Sequence, residues 1–121
     1  MASPVTIYVV DDEPVIASTL AAILNASGFQ ATAFTDPETA LETSKSVKPS
    51  LLLTDVVMPE MNGIDLAIQF KSVCPDCKVL LFSGQAATSD LMDSASIAGH
   101  DFELLAKPVH PTDLLAAIRN L

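Results

Sequence analysis

Asp11, Asp12, Asp55 and Lys107 are the residues whose types and placement could do chemistry in this chain. Each stands where a short apolar run ends: TIYVV before Asp11, LLLT before Asp55 and LLA before Lys107. Ser83 closes a fourth run, KVLLF. In a parallel α/β sheet, ligands bind at the carboxyl ends of the strands. Three carboxylates converging on that rim make a site for a hard divalent cation. A lysine facing them supplies counter-charge for a transferred phosphoryl group. Each residue also has a plain structural reading. Acids are common at helix N-termini, a lone aspartate can cap a turn, and a lysine at a strand end can be surface. What sets these residues apart is that all of them fall on one rim.

The elements that must position them alternate along the chain. Residues 5–10 read as a buried strand. Asp12 is placed to N-cap the following helix, with Pro14 in its first turn. Ile16, Leu20, Ile23 and Leu24 give that helix an apolar stripe, and Gly28 is its stop. Residues 29–34 alternate like a strand nearer an edge. Asp36 and Pro37 open a short helix resting on Ala40, Leu41 and Ser44, and Pro49 closes the connection. Residues 51–54 form a central strand. The loop from Met58 to Gly63 leads into a helix with Leu66, Ala67 and Phe70 facing inward, ended by Pro75. Pro59 and Gly63 suit a turn that needs one fixed and one positive φ. Residues 78–82 form the next strand. Residues 88–98 form the weakest helix, with three serines and few large apolar side chains. Residues 103–106 are the last strand. Pro111 and Thr112 open a final helix with Leu114, Leu115, Ile118 and Leu121 on one face. Five strands alternating with five helices imply a parallel sheet covered on both sides.

Composition narrows the function classes. A length of 121 residues suits one domain, 1–121, and half of them are hydrophobic, enough for a packed core. Fifteen acids against six bases leave a net charge of -9. That disfavours a nucleic-acid footprint and an anionic membrane surface. Apolar runs are strand-sized, so no transmembrane helix is expected, and no signal peptide is seen; a cytoplasmic location is the expectation. Cys74 and Cys77 lie between a helix end and a strand start, not at a helix opening that would lower a thiol pKa. Two thiols do not complete a zinc site, and His100 and His110 are not spaced as partners, so ordinary packing is expected for both cysteines.

Four segments carry a family resemblance: VVDDEP (9–14), TDVVMPEMNG (54–63), FSG (82–84) and LLAKPV (104–109). Over nearly its whole length the sequence resembles a receiver domain of two-component response regulators. The resemblance implies a three-layer, CheY-like doubly wound fold with strand order 2-1-3-4-5. It implies that Asp55 is the phosphoryl acceptor, a carboxylate nucleophile forming an acyl phosphate. Mg²⁺ would be held by Asp11 through water, by Asp12 and Asp55 directly, and by the backbone carbonyl of Val57. Lys107 would pair with a phosphoryl oxygen, Ser83 would donate its hydroxyl to another, and Pro108 would follow a cis peptide bond. The partners implied are a histidine kinase or histidine phosphotransfer protein and a downstream protein target. The module would catalyse only its own phosphorylation and dephosphorylation, with Val57 and Gln85 flanking the attacking water.

One position departs from the family. Receivers often carry Tyr or Phe three residues before the lysine, where the ring couples to the Ser83 position; here it is Leu104, with Phe102 two residues earlier. The loop from Gly99 to Lys107 is also slightly long. No residues follow Leu121, which points to a single-domain regulator or a receiver from a longer one. From residue 84 onward the only bases are Lys107 and Arg119, so a charge-paired dimer is not expected, and a monomer or weak dimer is. The competing reading is a phosphatase with an aspartyl-phosphate intermediate, but the haloacid dehalogenase pattern Asp-x-Asp-x-Thr is not matched after the first strand. A flavin site would need hydroxyls and amides where this chain is acidic.

Overall fold

The computed structural model describes residues 5–56, 58, 61–83, 103–106 and 110–119, with the backbone alone at 83, 103, 104 and 106. Within them, β1 (Thr6–Val10), β2 (Gln30–Phe34), β3 (Leu51–Asp55), β4 (Lys78–Ser83) and β5 (Glu103–Ala106) form one sheet in the order β2-β1-β3-β4-β5. Every pairing is parallel. The described helices are α1 (Pro14–Ala26), α2 (Pro37–Ser44), α3 (Gly63–Val73) and α4 (Pro111–Arg119). The helix expected over 88–98 lies outside the described residues, as do Phe102 and Leu121. Among the described residues no helix is long and apolar enough to cross a membrane.

The sheet's period of two divides the core. Tyr8, Val10, Leu52 and Leu81 face one side, where they pack with Phe70, Leu66 and Ala40 of α3 and α2. Ile7, Val9, Leu53 and Leu80 face the other, against Leu24 and Leu20 of α1 and Leu114 of α4. β1 and β3 are central and almost wholly buried, which is why their sequences are continuous apolar runs. Tyr8 is the polar exception. Its hydroxyl donates to the Val47 carbonyl, tying β1 to the α2–β3 connection. Its ring meets Phe34 at 4.9 Å and Phe70 edge-on at 6.2 Å. Burial pushes its phenol above the ordinary range.

Local chemistry sets the helix ends. At α2, Asp36 accepts from the Glu38 N–H and Pro37 fills the first turn. Gly28 ends α1 at φ +96°, the left-handed position expected of a stop glycine. The N-cap of α1 is displaced by one residue from the sequence expectation. Glu13, not Asp12, holds the cap position, and its side chain makes no capping bond. Its N–H instead donates to Asp11 Oδ1 at 2.9 Å, so the turn into α1 is fastened backward to the strand end. This leaves Asp12 exposed on the rim.

Part of the outer edge of β2 is capped by a side chain. The Ala31 N–H donates to Asn25 Oδ1 at 2.9 Å, and Asn25 Nδ2 donates to the Ala31 carbonyl at 3.0 Å. Ala31 therefore finds, in the amide of α1, the two bonds a further strand would supply. An open edge strand is a template for association with other chains. Asn25→Ala should lower stability by about 1–2 kcal/mol and raise self-association. Urea unfolding and sedimentation at two concentrations check both, and unchanged values would remove Asn25 from this role.

Candidate functional site

β1 and β3 are neighbours with Val10 opposite Thr54, so the residues that follow, Asp11 and Asp55, emerge side by side at the carboxyl end of the sheet. Asp11 is fully buried, Asp55 is 5% exposed, and Asp12 reaches solvent. One carboxylate oxygen from each of the three lies within 4.8 Å of the others. Among the described residues this is the one cluster of potential metal ligands.

The donor set fits a small, hard cation. Oxygens on opposite sides of an octahedral ion held at about 2.1 Å stand about 4.2 Å apart, close to the spread seen here. Three carboxylates so near one another repel, and burial of two of them strengthens that repulsion. A divalent cation between them would offset it.

The backbone keeps the cluster in register. The Asp11 N–H donates to the Phe34 carbonyl at 3.0 Å, anchoring the β1 end to β2. The Val56 N–H donates to the Phe82 carbonyl at 3.1 Å, extending the β3–β4 ladder past Asp55. The chain then returns, and the Gly63 N–H donates to the Val56 carbonyl at 2.7 Å. Met58 is buried within the same loop and packs against the α3 side of the core.

Gly63 has a different role from the positive φ expected of it: among the described residues only Gly28 has a positive φ. What Gly63 supplies is room. A Cβ there would lie 2.0 Å from the Asp55 carbonyl oxygen and 2.9 Å from its carbon. Asn62, beside it, is a cap that the sequence reading passed over. Its Oδ1 accepts from the Asp65 N–H at 2.8 Å, and its Nδ2 donates to Asp65 Oδ2 at 3.0 Å. The signal was present as an Asn three residues before an acid.

Other expected site residues are placed less fully. Ser83 ends β4 opposite Ala106, and Leu104 lies in β5 opposite Leu81, both as backbone. Val57, Gln85, Lys107 and Pro108 lie outside the described residues. Cys74 and Cys77 are buried in the α3–β4 connection. Their thiols face the Pro49 carbonyl at 3.7 Å and the Lys78 carbonyl at 3.3 Å. Burial, with Cys74 alongside, pushes the Cys77 thiol up to about 12, so it stays protonated and a poor nucleophile at neutral pH.

Comparison with known proteins agrees with this geometry. The response regulator receiver domain profile matches residues 7–119, and the chain belongs to that family. It is 35% identical to the response regulator receiver protein CpdR of Brucella abortus, covering 95% of this chain and 94% of that protein. It is 30% identical to the probable transcriptional regulatory protein TcrX of Mycobacterium tuberculosis over 98% of this chain, but spans only 50% of that protein. A receiver domain crystal structure from Clostridium thermocellum superposes with a TM-score of 0.84 at 28% identity, covering 96% of this chain and 92% of that one. The protein is a receiver domain of the kind found in two-component response regulators.

Gly63→Ala should cost about 3 kcal/mol, because the new methyl group meets backbone that is fixed by the sheet. Urea unfolding reads the loss. A variant as stable as the wild type would show that the α3 start can retreat from Asp55.

Proposed function

We propose that this receiver domain takes a phosphoryl group onto Asp55 from the phosphohistidine of a histidine kinase or a histidine phosphotransfer protein. The observation that carries this reading is the meeting of Asp11, Asp12 and Asp55 at the ends of two adjacent central strands. In the transfer, an Asp55 carboxylate oxygen attacks phosphorus, the P–N bond breaks, and the neutral imidazole leaves after taking a proton. Asp11, Asp12, Asp55 and the Val57 carbonyl would hold Mg²⁺. Bound there, Mg²⁺ supplies positive charge against the carboxylates and the phosphoryl oxygens.

Asp55 itself is oriented by its backbone. It is the last residue of β3, clamped between β1 and β4, and its carbonyl accepts from the Thr54 hydroxyl at 3.0 Å. Lys107 and the Ser83 hydroxyl would each meet one phosphoryl oxygen, and the turn at Pro108 would set the lysine. Val57 and Gln85 would border the water that later hydrolyses the acyl phosphate. The reaction leaves the module itself modified, so it acts as a switch and not as an enzyme with a separate substrate. Its output would be altered preference for a downstream protein, in the cytoplasm, where such kinases present their phosphohistidine. With Leu104 at the usual aromatic position, that output would not pass through ring rotation there.

Incubation with acetyl phosphate and Mg²⁺ should add one phosphoryl group, seen by intact mass. Asp55→Asn should abolish the gain, and omission of Mg²⁺ should suppress it. Equal uptake by Asp55→Asn would refute the assignment.

A further inference from the structure

Among the described residues of this chain, the bases gather at one rim of the sheet and most of the acids at the other. Five of its six bases lie at the end opposite the carboxylate cluster: Lys45 and Lys48 after α2, Lys71 in the last turn of α3, Lys78 at the start of β4, and Arg119 at the end of α4. The acids described at that end are Glu42, Asp76 and, as backbone at the start of β5, Glu103; Glu42 is paired with Lys45 at 3.1 Å. Cations at helix C-termini interact favourably with the helix dipole, which explains Lys71 and Arg119 in part. It does not explain Lys78, which opens a strand.

Lys78 and Arg119 flank a hollow of about 210 Å³ whose floor is apolar: Val5, Phe29, Leu51 and Ile118. Both cations are exposed, and among the described residues neither has an ion-pair partner. The hollow is smaller than the roughly 300–1,000 Å³ of pockets that enclose a cofactor or drug-sized ligand. It suits one large apolar side chain, with carboxylates beside it to meet the two cations.

From this we infer that the amino-terminal rim of the sheet is a second docking site, for a partner protein segment that carries a large apolar side chain flanked by acidic residues. The apolar side chain fills the hollow, and its neighbouring carboxylates pair with Lys78 and Arg119. The site lies at the end of the strands opposite Asp55, so a partner bound there leaves the carboxylate cluster open. It does not depend on the phosphoryl chemistry proposed above.

The probe is a blocked pentapeptide with a central phenylalanine flanked by glutamates, titrated into the full chain and followed by amide NMR shifts. Saturable shifts at Val5, Phe29, Leu51 and Ile118 are expected. Lys78→Ser combined with Arg119→Ser should weaken binding about tenfold, and both side chains are exposed, so the fold should persist. The same peptide with glutamine in place of glutamate should bind as weakly to the wild type. No saturable shifts at these residues, or equal binding of both peptides, would overturn the proposal. So would shifts of the same residues on diluting the protein alone, which assign the hollow to a second copy. Binding that appears only after deletion of residues 1–4 would assign it to the chain's own terminus and overturn it as well.

Discussion

Three carboxylates held within 4.8 Å of one another repel, and the rest of the structure is arranged to hold them there. Free aspartates would move apart. Here Asp11 and Asp55 leave adjacent strands whose interiors are buried on both faces, so neither backbone can retreat without opening the core. Val9, Val10, Leu52 and Leu53, four fully buried side chains just upstream, anchor the two strands. This follows the general pattern in which a locally unfavourable arrangement at a site is sustained by well-packed elements around it.

The supports around the cluster are of two kinds. Backbone bonds fix where the strand ends point: Asp11 to Phe34, Val56 to Phe82, Gly63 to Val56. Close approach fixes where α3 begins, since only a hydrogen on the Gly63 α-carbon clears the Asp55 carbonyl. The first kind depends on no particular side chains; the second tolerates one residue type only. The charge distribution has the same economy, with most of the described acids at the carboxyl end of the sheet and the described bases at the other.

Much of this was legible in the sequence because strand ends are. An apolar run that stops at Asp11, and another at Asp55, places both residues at one end of a parallel sheet before any coordinates exist, and alternation with helices makes the sheet parallel. Asp36, Pro37 and Gly28 announce their helix ends through local chemistry, and they stand where expected. What was not legible lies in how neighbouring segments turn back on one another, which no helix or strand period announces. Gly63 was identified as necessary but for its φ, because its closeness to Asp55 arises only when the loop folds back. Asp12 was read as a cap because the strand-to-helix turn is one residue longer than the pattern implies. The Asn25 bonds to Ala31 follow no helix or strand period, and the hollow beside Lys78 and Arg119 joins five segments.

The direct test of the central claim is the unfolding free energy of wild type and Asp12→Asn, each measured with and without Mg²⁺. If the fold holds three repelling carboxylates that a cation relieves, Asp12→Asn is the more stable protein without Mg²⁺ and the wild type gains more when Mg²⁺ is added. If Asp12→Asn is less stable without the ion, and Mg²⁺ shifts neither protein, the three carboxylates do not form a cation site.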